Sequence, residues 1–464
     1  MSDLRPRTSA LGPDLPWLAA DPARAEAIRA SGSHTLITAP LAVRGTVLGL
    51  ISLYRTQQPD PYDEDDVKIV LQLADHTALC IDNARRYTRE HTIAATVQRH
   101  LLPRRPASHT ALETAYLPLS PDNGREWYDT IALSGARTAL VVGGVTESGI
   151  YATALMGQLR TVIRSLSALD LEPEDLLARL NDIAAFLEGE RAAMPSTASG
   201  PPTALYAACA YAVYDPLTRI CTIVGAGSPA LVLARPDGTT ESLEVPSGPL
   251  LGSADGAPSA IASHRIPEGG LLILSAAPVP ALQPPSDPPN GSPSVQRILS
   301  QAHRPLEDLC DDILYALSSR APASAAALLA RTHSFPPQCV AAWQLEDTPA
   351  SVATARHHAR RQLATWDVEE ETALSTELIV SELVTNAVRH GSPPLELRLI
   401  NDRTLTCEVR DTGLASPHLR HAHVVDEGGR GLFIIAQLAE AWGTRYTAEG
   451  KTIWTEQALP PPPG

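Results

Sequence analysis

Residues 377–391 read ELIVSELVTNAVRHG, from Glu377 to Gly391. Apolar residues recur at helical spacing, while Glu382, Asn386 and His390 stand four apart. On an α-helix, positions i, i+4 and i+8 lie nearly one above another. A carboxylate, an amide and an imidazole therefore share one face of a predicted helix over 369–390. Two further stretches follow in order. VRDTG, Val409 to Gly413, ends a predicted strand, and DEGGRGL, Asp426 to Leu432, opens a predicted helix over 431–440. Around them a helix at 350–364 and strands at 394–400 and 404–410 complete a C-terminal unit.

The three stretches share a use if the ligand is ATP with Mg²⁺. The Asn386 amide oxygen suits a hard cation that bridges phosphates. Asp411 can accept a hydrogen bond from an exocyclic amine. Gly429 and Gly431, just before a helix, let backbone N–H groups and the helix N-terminus face phosphate. The polar run between, with His418, His421 and His423, reads as a lid.

In order and spacing, E-x-x-x-N, D-x-G and G-x-G-L resemble the nucleotide-binding boxes of the GHKL ATPase superfamily. SELVTNAVRHG is similar to its RsbW-like anti-sigma serine kinases. The resemblance covers about 110 residues and implies a Bergerat α/β sandwich. It further implies Glu382 as general base, Asn386 as the Mg²⁺ ligand, Asp411 at adenine, and Gly413, Gly429, Arg430 and Gly431 lining the nucleotide.

Upstream, residues 111–346 alternate strand-like runs with helical segments near 152–168, 173–188 and 305–317, an α+β pattern of helices on antiparallel sheets. The ordered stretches LETAYLPLSPDNGREWYDTIAL, TALVVGGVTESGIYATALMGQLRTVIRSL and TIVGAGSPALVLARPDG resemble the SpoIIE-type branch of PPM serine/threonine phosphatases. That family implies a β-sandwich flanked by helices and two Mn²⁺ or Mg²⁺ ions held by aspartates. Here the sequence departs from the pattern. Glu126 stands at the first metal aspartate, Gly144 at the bridging one, Ala276 at a third, and Gln338 with Cys339 at the last acidic pair. Two divalent ions need several carboxylates to neutralise them. The expectation is a degenerate site in which Glu126 is the residual carboxylate and Mn²⁺ or Mg²⁺ is not held.

The segment ITAPLAVRGTVLGLISLYR, with the helical run after it, resembles the C-terminal half of a GAF sensor domain; strand, Arg44–Gly45 turn and strand are predicted. From Asp63 to Leu102 the chain lacks Gly and Pro. A helix of that length is about 60 Å long and suits pairing with a second copy as a coiled coil.

The 464 residues fit about three domains at roughly 150 residues each. The net charge of −15 lacks the basic excess that nucleic acid demands. No apolar run is long enough to cross a membrane, and the N-terminus shows no basic stretch followed by an apolar one. The six cysteines form no CxxC pair, so they read as small buried hydrophobes of a reducing cytoplasm. The expected layout is a partial GAF at 1–85, a coiled-coil helix and linker at 86–110, a phosphatase-like domain at 111–346 and an ATPase at 347–459. The resemblances imply a cytoplasmic partner-switching regulator. It would be an ATP- and Mg-dependent serine kinase and anti-sigma factor, homodimeric through the long helix, whose partners are a STAS-domain anti-anti-sigma protein and a sigma factor. The alternatives are an active bifunctional phosphatase and kinase, and a non-catalytic ATP-gated binding switch.

Overall fold

The computed structural model describes residues 6–11, 22–56, 60–103, 109–118, 125–193, 204–253, 260–282, 293–317, 326–413, 431–447 and 449–459. The chain divides into two compact units, Met1–Ile93 and Ala94–Gly464. No helix among the described residues is long and apolar enough to cross a membrane.

In the first unit, strands β1 (Arg7–Ala10), β2 (Thr35–Val43) and β3 (Thr46–Arg55) form an antiparallel sheet, with helix α1 (Pro22–Ala30) between the first two in sequence. Arg44 and Gly45 both take positive φ, 49° and 84°, the turn geometry that matches strand twist in a two-residue hairpin. Helix α2 runs Glu64–Leu101. The Asp63 carboxylate caps it, accepting the N–H groups of Asp65 and Asp66 at 3.0 and 2.8 Å. Val70, Ala74 and Ala78 bury against Ile37, Ala39 and Leu41 of the sheet. Ile69, Leu73, Cys80 and Tyr87, on the far side of the same helix, are exposed.

The second unit begins with four layers. One five-stranded sheet orders β10 (Thr240–Leu243), β9 (Ala230–Ala234), β12 (Leu271–Ser275), β13 (Ala326–Thr332) and β4 (Leu112–Pro118). The other orders β11 (Ile261–Arg265), β8 (Ile220–Ala226), β7 (Ala207–Asp215), β6 (Thr138–Val145) and β5 (Glu126–Ala132). Along β6 the pleat sends Leu140 and Val142 between the sheets and Ala139 and Val141 outward. Both faces are thus apolar, which is why TALVVGGV reads as an unbroken hydrophobic run. Helices α3 (Ile150–Ser167) and α4 (Pro173–Ala193) cover one sheet through Met156, Leu159, Leu176 and Leu180. Helices α5 (Pro293–Leu299) and α6 (Leu306–Leu317) cover the other.

The last layer pair is an antiparallel sheet ordered β14 (Val340–Leu345), β15 (Leu395–Asn401), β16 (Thr404–Asp411), β18 (Gly450–Ala458), β17 (Ala441–Thr447). Helices α7 (Ser351–Thr365), α8 (Glu370–His390) and α9 (Gly431–Leu438) pack on one face around Leu397, Leu399, Cys407 and Val409. Two expectations are corrected here. Strand β14 pairs with β15 through all six of its residues, Val340↔Ile400 to Leu345↔Leu395, so the ATPase sheet begins at Val340, ahead of the boundary expected at 347. Gln338 and Cys339 accordingly lie at the entry to this sheet, where the Trp366 indole N–H donates to the Gln338 carbonyl at 2.6 Å. They are not at the end of a phosphatase strand.

Candidate functional site

Helix α8 buries Ile379, Val380, Leu383, Val384 and Ala387, and its opposite flank leaves Glu382 and Asn386 half-buried and His390 exposed. The Glu382 carboxylate meets Gly431, the first residue of α9. A Cβ added at Gly431 would overlap Glu382 Oε2 and stand 3.4 Å from its Cδ. Two positions 49 apart in sequence, Glu382 on the helix face and the glycine opening the next helix, therefore lie together.

Asp411 ends β16 and is only 1% exposed. Its Oδ1 accepts the Gly413 N–H at 2.7 Å and lies 3.5 Å from Lys451 Nζ. Its Oδ2 is buried with no hydrogen-bond partner among the described residues. A buried carboxylate oxygen without a donor is costly, and a ligand amine in the glycine-lined space would satisfy it. That space is kept open by small residues: a Cβ at Gly391 would come within 2.7 Å of Asp411 Cγ, and one at Gly413 within 2.9 Å of Asp411 Oδ1. Thr412 ties its N–H and hydroxyl to the Ser392 carbonyl at 3.0 and 3.2 Å, pinning the end of the strand to the end of α8. The donor set fits an adenine nucleotide, with Asn386 available to a bound Mg²⁺. Gly429, Arg430 and the expected lid lie outside the described residues.

Lys451 and Gly391 were not singled out from the sequence. The β16–β18 register, Asp411↔Lys451, brings the lysine to the site, and no local pattern announces it. Gly391 directly follows the helix motif, so the end of RHG offered a signal.

In the phosphatase-like layers, Glu126 on β5 is 4% exposed and pairs in register with Gly144 on β6. Both its carboxylate oxygens are buried without hydrogen-bond partners among the described residues. Burial pushes the carboxyl up to about 7, against the opposing pull of Arg125. Ala276 is buried. Asp129, two residues beyond the half-buried Tyr128 ring's neighbour Trp127, is held by Arg160 at 2.9 Å and Arg164 at 3.4 Å, while Glu147 is exposed. Among the described residues no cluster of three or more metal-ligating side chains forms. Among the described residues, Glu126 alone at the positions of the family's metal aspartates does not fit a two-metal centre.

Three family models match the chain. Residues 7–81 match the GAF domain, residues 134–330 match stage II sporulation protein E (SpoIIE), and residues 345–456 match the histidine kinase-like ATPase domain. The chain is thus built of a GAF, a SpoIIE-type PPM phosphatase-like and a GHKL-type ATPase domain, in that order, an α+β assembly of signal-transduction modules. The GAF match starts at residue 7 and includes β1 and α1, elements that the expectation of a partial domain had not placed. The ATPase and phosphatase families use ATP and divalent metals in general.

Among solved structures, the RsbU and RsbW domains of Rv1364c from Mycobacterium tuberculosis are 22% identical, with a TM-score of 0.40, over 76% of this chain and 94% of that one. The SiaA-PP2C domain of Pseudomonas aeruginosa is 14% identical, with a TM-score of 0.41, over 54% of this chain and 99% of that one. The PP2C phosphatase domain and regulatory fragment of SpoIIE from Bacillus subtilis is 13% identical, with a TM-score of 0.34, over 49% of this chain and 64% of that one.

Proposed function

We propose that the C-terminal domain is an ATP- and Mg²⁺-dependent protein serine kinase of the anti-sigma type, acting in the cytoplasm on a STAS-domain anti-anti-sigma partner. The observation that carries this reading is the Asp411 Oδ2, buried without a partner among the described residues in a glycine-lined space, with Glu382 against the first residue of α9. Mg-ATP, when bound, supplies the electrophilic γ-phosphorus and the counter-charge for its oxygens. Asp411 accepts the adenine amine. Asn386 holds the metal through its amide oxygen. Glu382, half-buried beside the phosphate-facing end of α9, takes the proton of the partner's serine hydroxyl. Backbone N–H groups at the start of α9 face the phosphates.

The phosphatase-like domain, in the same reading, keeps its packed frame without a two-metal centre. Support comes from the lone Glu126, from Gly144 and Ala276 at the expected aspartate positions, and from Asp129 being paired with two arginines. A homodimer through α2 is supported by the exposed stripe of Ile69, Leu73, Cys80 and Tyr87.

The test is transfer of labelled γ-phosphate from Mg-ATP to a STAS-domain protein, beside release of phosphate from its phosphoserine form as Mn²⁺ rises. Transfer that is lost in Glu382→Ala, with no release, is the expected result. Nucleotide binding without transfer would leave a binding switch in place of a kinase. Release that saturates with Mn²⁺ would overturn the metal-free reading of the phosphatase-like domain.

A further inference from the structure

The ATPase sheet has a second face, turned away from α7 and α8, and the phosphatase-like domain docks on it. On β16, Cys407 and Val409 point to the helices, while Glu408 points the other way. Glu408 is nonetheless 4% exposed. It is covered by the β5–β6 turn, where Gly135 (φ 65°) approaches so closely that a Cβ there would stand 2.5 Å from Glu408 Oε1. The Gly135 backbone also hydrogen bonds to Glu456 on β18.

Arg445 on β17 joins the two domains. It donates to Glu408 Oε1 at 3.1 Å and to Ser134 Oγ at 3.2 Å, and lies 3.5 Å from Asp170 Oδ2. Asp170 in turn accepts from Ser134 Oγ at 2.7 Å and from Arg137 at 2.5 Å. Burial alone would raise the Asp170 carboxyl, but Arg137 and Arg445 overcome it and hold it below the usual carboxylate range. Buried ion pairs of this kind are strongly destabilising to break one-sidedly, so the joint has a defined engaged state.

The β17–β18 hairpin is the shared element. Tyr446 and Lys451 are register partners, as are Arg445 and Thr452. From this one ladder, Lys451 reaches Asp411 on the nucleotide side and Arg445 reaches Glu408 on the docking side, three residues apart along β16. A cleft of about 500 Å³ lies beside the joint, lined by Arg137, Glu172, Arg398 and Arg410 among others, and the hairpin borders it through Arg445 and Thr452.

We propose that nucleotide binding at Asp411 and docking of the phosphatase-like domain at Arg445 are positively linked through this hairpin, so that each stabilises the other. Linkage of this kind is reciprocal. A nucleotide pinning Asp411 steadies the hairpin and the Arg445 joint, and the joint orders the hairpin before nucleotide arrives. The proposal rests on the nucleotide-site reading above.

The experiment uses the full chain. Mg-ATP affinity is measured by calorimetry for wild type, Arg445→Gln, Asp170→Asn and the control Arg235→Gln, which removes a surface ion pair with Glu241. Far-ultraviolet dichroism checks each fold. The affinity is expected to fall by about fivefold or more in the first two variants and to hold in the control. Asp170→Asn is decisive because that residue belongs to the other domain. In wild type, Mg-ATP is expected to slow amide hydrogen exchange at 134–137 and 170, a readout that needs no variant. Equal affinities with unchanged exchange would overturn the linkage while leaving the nucleotide site standing. A wild-type chain that binds no Mg-ATP would overturn both.

Discussion

Glu382 and Gly431 are in direct contact: the carboxylate occupies the space in which any side chain at 431 would begin. The contact sets the distance between the proposed base and the first turn of α9. Gly431→Ala must displace one or the other. A misplacement of about 1 Å at a reacting group costs on the order of 100-fold in rate. Phosphoryl transfer by this variant is therefore expected to fall by roughly that factor, with the melting temperature nearly unchanged. Wild-type transfer by a folded Gly431→Ala chain would remove Glu382 from the reaction.

Asp411→Asn replaces an acceptor with a group that is half donor. A site built to bond a particular polar group rejects analogues that leave its atoms unpaired. The variant is expected to lose about tenfold or more in ATP affinity and to narrow its preference for ATP over GTP. Competition binding with the two nucleotides reads both effects. An undiminished preference would place adenine recognition elsewhere.

Glu126 predicts a dependence of stability on pH. Its carboxyl ionises near 4.5 in the unfolded chain and near 7 in the fold. Between those values the unfolded state sheds its proton first, so stability falls as pH rises through the window and is level above it. Glu126→Gln, neutral throughout, is expected to exceed wild type above about pH 7 by on the order of 3 kcal/mol, and to lose that advantage near pH 4. Urea unfolding at the two ends of the window measures the difference. The same advantage at both ends would mean that the carboxyl is not the cause. Mn²⁺ is expected to leave the wild-type melting temperature unmoved.

Cys80 offers a test of dimerisation. It lies on the exposed stripe with Ile69, Leu73 and Tyr87, whereas Cys209, Cys221, Cys310 and Cys407 are buried. Heptad spacing places such a stripe at the seam of two parallel helices. Diamide is expected to give a crosslinked dimer from wild type and none from Cys80→Ser. Monomeric mass in light scattering at micromolar concentration would rule out the α2 interface.

Much of this was legible in the sequence because the decisive signals are local. The periodicity of 377–391 gave α8 to within one residue, and Arg44–Gly45 marked a hairpin that positive φ at both residues bears out. What escaped was set by pairing between distant strands. Nothing around Val340 distinguishes a last phosphatase strand from a first ATPase strand; only its partner β15 does. Lys451, Arg445 and Asp170 acquire meaning by register and docking across two domains. Helix α1, with its weakly patterned PARAEAIRA, had no periodic apolar face to announce it.

The short connection 333–339 between β13 and β14 gives the chain an uncommon seam. A protease or a recombination event at the boundary suggested by residue 346 would not release two finished bodies. It would leave β14 on the wrong fragment and strip β15 of its neighbour, baring a row of backbone donors and acceptors of the kind that recruits other chains. Strand β14 therefore belongs to the ATPase unit, and a viable separation has to fall upstream of Val340, where the ATPase sheet keeps its edge.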